Sequence, residues 1–501
     1  MSNRQIIIVA LIMLAGYFLY EPVMDRYFSD TSLKVAEAAT PFPDNEQELR
    51  IETARLALSL SPHGGRITSA RLKEFTTKQD QPVELIAGLL KTRAGIRLDL
   101  PEFFEDPDDL PYDYQVNGEG VVFSRELPGQ LEIIKSYQPA GEYGITMELT
   151  LINRGDAPIA LPAGYRITPF FGMAPGDDDE AKDLQVAWLN GPEDRVQRRK
   201  TKEVREPFQP DQPVNWVGIR NRYFTQVLIP ASTGHTITLQ PLGGWQLYPT
   251  LSTPALTLAP GASQQDSYHL YLGPLTTESL RADHAGLDRM MDYGSFEILG
   301  RAGLGLLKFI RQYVANYGLC LILLALLLRL LLFPVSQYNL KALRAMPQLQ
   351  HEIYRLEDEE TADAAELLPD LRKQLRKAMV GSFLPLAIQI PIFLALYQVL
   401  NGAIELRQAA LGLWITDLSV QDPYFVLPVL MGLAMIGQQY LTTVNPHEDK
   451  TWIWMPLGFA LFFAFFPAGL VLFWLADSLF AVAQLALIKR KTATERIPTT
   501  C

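Results

Sequence analysis

The chain has 501 residues, enough for two or three structural units, and a formal net charge of −11. The whole excess of Asp and Glu falls in residues 22–290, while the remainder is balanced, so the acidic part argues against nucleic acid or anionic lipid as a partner. The two cysteines, Cys320 and Cys501, offer neither a disulfide framework nor a metal-ligand spacing.

Residues 6–20 are continuously apolar between Arg4 and Glu21. A secretory signal peptide is one reading. The nearest small-x-small site, Ala36-Glu37-Ala38, lies too far downstream for ordinary cleavage, so an uncleaved transmembrane anchor over 1–21 is preferred. Arg4 places the N-terminus inside. Residues 22–44, with PFPD at 41–44, read as a linker.

From 45 to 290 the period is that of strands. Ile145, Met147, Leu149 and Leu151 alternate with polar residues, and Leu56, Leu58, Leu60, Ile237 and Leu239 do the same. This predicts a large antiparallel β-sandwich domain, with Gly64-Gly65 at a turn or bulge. The acidic run 177–180 and the basic residues Arg198, Arg199, Lys200 and Lys202 read as solvated loops. The six histidines are scattered, without H-E-x-x-H spacing, and no P-loop or nucleophile elbow is present. No metal and no cofactor is expected. A two-carboxylate sugar site needs no local motif and stays open.

Residues 291–316 show helical spacing of Phe296, Leu299, Leu304, Leu307, Ile310 and Val314 around Lys308 and Arg311. A helix on the membrane surface and a buried helix of the β domain both fit. Five candidate spans follow, at 317–334, 383–400, 424–441, 452–467 and 468–488, within a segment read as 317–490. With the anchor these make six transmembrane helices. Seven Lys/Arg in 336–381, and Lys489, Arg490 and Lys491 beyond the last span, place both termini in the cytoplasm, with 491–501 as a tail and residues about 22–316 outside. Two amphipathic stretches within 336–381, separated by acidic residues 357–360, predict a cytoplasmic helical hairpin.

The first span, YGLCLILLALLLRLLLFP, is long enough to cross as one helix yet carries Arg329. A central arginine costs about 2.5–3.5 kcal/mol on insertion scales, and it cannot neutralise itself. Other spans carry Gln389, Gln438, Gln439, Asp477, Ser478 and Gln484, the last three near Trp474. Polar groups on separate spans point to a shared wet interior, with interhelical hydrogen bonding as the rival. Asp477 either pairs with Arg329 or stays protonated.

Several of these stretches resemble the YidC family of bacterial membrane protein insertases, in its Gram-negative form with a large periplasmic domain. They are LLLRLLLFP at 326–334, FLPLAIQIPIFLALY at 383–397, ELRQAALGLWITDLSVQDPYFVLPVLMG at 405–432 and FFPAGLVLFW at 465–474. NWVGIRNRYFTQVLIP at 215–230 and YLGP at 271–274 are similar too. The resemblance implies a periplasmic β-supersandwich and a five-helix insertase core in the inner membrane, enclosing a hydrophilic groove closed to the outside. It implies that Arg329 is the groove arginine and that Gln439 and Trp474 line the groove. Gln389, Asp477 and Ser478 complete the expected groove set. The spans 383–400 and 452–467 would form an apolar slide for client membrane proteins. The implied partners are those clients, the lipid bilayer and the SecYEG translocon with its accessory subunits. The ribosome or signal recognition machinery would meet the hairpin. No nucleic acid, no cofactor and no covalent chemistry are implied. Three features depart from the family pattern. Asp477 stands where relatives often have a small polar residue, KAMVGSF at 377–383 lacks the usual Asn-Pro and paired Gly, and the tail has few basic residues. Three rival functions are a transporter or channel, a membrane-anchored glycan protein and a purely structural assembly factor.

Overall fold

The computed structural model describes residues 48–86, 95–101, 103–104, 107–170, 172–173, 184–191, 196–243, 246–284, 286–291, 296–359, 362–442 and 453–494. The expected anchor 1–21, the linker 22–44, the acidic run 177–180 and Cys501 lie outside them. The chain divides into two compact units, Met1–Met291 and Asp292–Cys501.

The first unit is built on antiparallel sheets. The largest has nine strands, in the order Val196–Lys200, Gln185–Asn190, Val214–Arg220, Phe224–Pro230, Ser263–Pro274, Gly144–Asn153, Leu131–Ala140, Gly120–Leu127 and Asp113–Asn117. The period-2 pattern becomes a buried face: Ile145, Met147, Leu149 and Leu151 are all buried while Thr146, Glu148 and Thr150 between them are half-exposed. Leu56, Leu58 and Leu60 bury the face of a second, four-stranded sheet.

One inward position of the central sheet is charged. Lys135 alternates in register with Leu131, Ile133 and Tyr137, and is as buried as they are. Its Nζ donates to both carboxylate oxygens of Asp108 at 2.8 Å and to the Gly64 carbonyl at 2.7 Å. Tyr137 Oη donates to the Gly65 carbonyl at 2.7 Å. The expected Gly64-Gly65 turn therefore serves as an acceptor platform. Both glycines have positive φ, and a Cβ on Gly64 would sit 2.5 Å from the Asp108 carbonyl oxygen, so side chains are excluded there. A short helix, α1 (Thr277–Asp283), follows the last strand and is capped by the Thr276 side chain.

The second unit is helical. Helix α2 (Glu297–Arg311) buries Leu307 and Ile310 and exposes Ile298 and Phe309, as its spacing predicts, but leaves Leu299 of the expected apolar face exposed. Helix α3 (Tyr317–Leu331) starts at the cap Asn316, whose Oδ1 accepts from the Leu319 amide at 3.1 Å. The single helix expected over 317–334 is not formed. The chain breaks at Leu332 and resumes as α4 (Phe333–Glu359), bent by 58°. Pro334 explains the break, because it has no N–H to give to the Leu330 carbonyl and its ring collides with it. At the first turn of a new helix the same proline is tolerated.

Helix α4 packs against α5 (Ala362–Gly402). The pairs Tyr338 with Gly381 and Glu357 with Arg372, the latter ion-paired at 2.8 Å, run in opposite directions along the two helices, which makes them an antiparallel hairpin. The arm and the apolar stretch expected at 383–400 are not separate elements. They form one helix of 41 residues, about 60 Å long at 1.5 Å per residue. Helices α6 (Val426–Thr442), α7 (Trp454–Phe463) and α8 (Ala468–Thr494) complete the unit. Among the described residues one helix, Ala468–Ile488, is long and apolar enough to cross a bilayer, or two are if the bent α3–α4 pair counts as one span. The expected span 452–467 contains only the ten residues of α7 as helix, about 15 Å of rise against a core of about 30 Å.

Buried side chains of α2, α3, α5, α6, α7 and α8 share one apolar core, Leu321, Leu324, Leu396, Met431, Phe463 and Val471 among them. The loop between α5 and α6 is tied down at several points. Asn316 Nδ2 donates to the carbonyls of Ala410 and Leu411 at 3.1 Å each. Lys308 pairs with Glu405 at 2.9 Å. The amides of Ala468 and Gly469 donate to Val420 and Leu418 at 2.7 and 2.8 Å. Asp422 caps α6 through the Leu427 amide at 2.7 Å and accepts from Trp414 Nε1 at 3.0 Å.

Candidate functional site

The break between α3 and α4 borders a small cavity with about 60 Å³ of room for water, open in part to the outside. Helix α3 contributes Leu328 and Arg329, and the break contributes Leu332. Helix α4 adds Val335 and Ser336, helix α5 adds Ile388, Gln389 and Ile392, and helix α8 adds Phe473 and Asp477. A continuous helix through residue 334 would carry Ser336 further along the same axis. The bend instead turns the start of α4 toward the cavity and gives it the Ser336 hydroxyl, which donates to the Leu332 carbonyl at 3.3 Å alongside the Ser336 amide at 3.0 Å.

Arg329 sits in the last turn of α3, where the C-terminal dipole favours a cation. Its Nε donates to Gln484 Oε1 at 3.2 Å and its Nη1 faces both Asp477 oxygens at 3.4 Å. The two side chains of the ion pair are 19% and 17% exposed, so the pair borders the cavity without being sealed from it. Asp477 and Gln484 are seven residues apart, two turns of α8, and so face the same way. The ion pair makes a polar patch without net charge which, with Ser336 and Gln389 among apolar residues, offers both hydrogen-bond donors and acceptors.

The structure thus brings Arg329, Gln389 and Asp477 to one cavity, with Gln484 fixing the arginine from outside its lining. It does not bring the other three expected residues there. Ser478 is buried beside Asp477 on α8. Gln439 is half-buried on α6. Trp474 joins an aromatic cluster, with ring centroids 5.7 Å from Phe393 and 5.9 Å from Phe463. Its Nε1 is buried with no hydrogen-bond partner among the described residues. Sequence reasoning missed Ser336. The available signal was a polar residue just after Pro334, where a helix break redirects the chain. Among the described residues no group of three or more His, Cys, Asp or Glu is arranged to hold a metal ion.

Two family models match the chain: "YidC periplasmic domain" over residues 48–302 and "60Kd inner membrane protein" over residues 309–495. Among curated relatives, the membrane protein insertase YidC of Geotalea daltonii is 34% identical over 368 residues, covering 71% of this chain and 68% of that protein. That of Oleidesulfovibrio alaskensis is 30% identical over 487 residues, covering 91% and 89%. A crystal structure described as an active YidC insertase with its first transmembrane domain resolved is similar over 97% of this chain and 99% of its own, at 16% identity and a TM-score of 0.36. A galactose mutarotase-like protein from Lactobacillus casei is similar over 45% of this chain and 100% of its own, at 12% identity and a TM-score of 0.33.

Proposed function

The chain belongs to the YidC family of membrane protein insertases of the bacterial inner membrane, and we propose that it inserts client segments through the cavity at the α3–α4 break, using Arg329 as its polar foothold. The observation that carries this reading is a partly open cavity lined by four helices, in which Arg329 faces Asp477.

The obstacle to insertion is the passage of a client's polar tail through hydrocarbon, where unpaired polar groups cost several kcal/mol each. A cavity with donors and acceptors at membrane depth shortens that passage. Arg329 attracts an acidic or polar tail while the client's apolar segment moves along α5 and α7 into lipid. Partitioning of that segment supplies the drive, at about 25 cal/mol per Å² removed from water. The membrane potential adds about 2.3 kcal/mol per negative charge moved outward per 100 mV. No covalent step and no cofactor is required. The cavity opens to the cytoplasm, while the tied loop between α5 and α6 closes the outer side. Both termini are cytoplasmic and the β unit is periplasmic. The α4–α5 hairpin meets incoming chains or their delivery factors, and the work proceeds alone or beside the Sec translocon.

Purified protein in sealed liposomes, given a small single-span client with an acidic N-terminal tail, tests this. The expected result is protease protection of the tail well above that with empty liposomes. It falls by about tenfold with Arg329→Ala and less with Arg329→Lys, as expected when a charge-assisted contact is removed. Equal protection with all three proteins would sink the role of the arginine.

A further inference from the structure

Arginine has five N–H donors in a planar fork, and its strongest carboxylate contacts are parallel, bidentate and about 2.7–2.9 Å long. The pair in this cavity is of another kind. Both Asp477 oxygens face the single nitrogen Nη1 at 3.4 Å, and Nε is taken by Gln484. Among the described residues no acceptor meets Nη2. The carboxylate therefore holds the guanidinium loosely and from one side, at a cavity wall that stays partly open.

We propose that Asp477 is a resident counter-ion, standing at Arg329 where a client's tail carboxylate would dock, and that it broadens the range of tails the cavity accepts. This rests on the insertase reading above. With Arg329 alone, the cavity would carry a net positive charge and select acidic tails. With Asp477 present the cavity is neutral. An acidic tail must displace or share with Asp477 to reach Arg329, so its advantage is blunted. A basic tail finds in Asp477 a partner that a lone arginine would deny it. Asn or Ser at this position keeps a hydrogen-bonding group but removes the competing charge, and so narrows selection toward acidic tails.

The experiment uses three single-span clients that differ only in two tail residues, Asp, Asn or Lys, and liposomes without a membrane potential. Initial rates of tail protection are measured for wild type, Asp477→Asn, Asp477→Ser and Asp477→Glu. The expected result is an Asp-to-Asn client ratio raised by about threefold or more in the Asn and Ser variants, a Lys-to-Asn ratio lowered by a similar factor, and wild-type ratios in the Glu variant. Opposite shifts for acidic and basic tails are something a merely structural role does not produce. Either neutral variant carries the test if the other fails to fold. Wild type alone provides a further check, because its rates for Asp and Lys tails should lie within about threefold of each other. Ratios unmoved by both neutral variants, or all three client rates falling in step, would overturn the counter-ion role and leave the insertase reading intact. No insertion of any client by wild type would overturn both.

Discussion

Lys135 and His235 are both buried in the first unit, and their partners decide what each does to stability. Lys135 is fully buried, and burial pushes its ammonium below its usual range while Asp108 holds it up. Asp108 is in turn satisfied by the Leu98 amide at 2.8 Å and by Tyr112 Oη at 3.3 Å. Removing one member of such a pair leaves an uncompensated buried charge, so Lys135→Ala is expected to destabilise the unit by about 3–5 kcal/mol. Denaturant unfolding followed by tryptophan fluorescence checks this, and a loss under 1 kcal/mol (~1) would contradict it. His235 is the opposite case. Its Nε2 lies 2.9 Å from Ser232 Oγ, while Nδ1 is buried without a partner among the described residues. Burial lowers its pKa from the ordinary 6.5. The unfolded chain therefore takes up a proton at a higher pH than the folded one, and stability is lost as pH falls from about 6.5 through the lowered folded value. Above that window both states are neutral and nothing is lost. Thermal unfolding of wild type and His235→Gln should diverge with pH: acidification from about 7.5 to 5 lowers the wild-type midpoint more than the variant's.

At the scale of elements, what was legible in the sequence depended on whether one face of an element is buried alone. The strand at Gly144–Asn153 shows a clean alternation because its sheet has one packed face, and α2 shows its two faces for the same reason. Hydropathy was blind to the break at Leu332, since its neighbours Leu331 and Phe333 are both apolar and only Pro334 carries the backbone information. It was equally blind to the continuity of α5, where charged residues give way to apolar ones near residue 381 without a change in backbone. Lys135 could not be read as a core residue, because its partner Asp108 lies 27 residues away, in a short helical turn outside the strands. The contact between Arg329 and Asp477 spans 148 residues and needed the helices to be packed before it could be seen. The tie between Asn316 and the α5–α6 loop is of this long-range kind too. Asn316→Ala removes a helix cap, worth about 1 kcal/mol, together with two donors to that loop. Amide exchange at Leu319 and through residues 409–415 should rise by about fivefold, the equivalent of that energy. Unchanged exchange in the loop would mean that the Lys308–Glu405 pair and the contacts to Leu418 and Val420 hold it unaided.

At the scale of the whole molecule, the chain joins two units whose charge and chemistry differ. The acidic excess belongs to residues 22–290, whereas each residue lining the cavity, together with Gln484, comes from the helical unit. The buried pair that holds the β unit together and the looser pair in the cavity share no residue, and substitutions so separated are expected to act additively, within about 0.5 kcal/mol. Lys135→Ala therefore separates the two units experimentally within the full chain. Under denaturant conditions that melt the β unit of this variant but leave wild type folded, insertion of the acidic-tailed client should continue at more than about half the wild-type rate, since no part of the polar foothold has been touched. Arg329→Ala should show the converse, a normal unfolding midpoint for the β unit and a large loss of insertion. If Lys135→Ala abolished insertion as completely as Arg329→Ala does, the two units would work as one machine, and the cavity alone would not account for the activity.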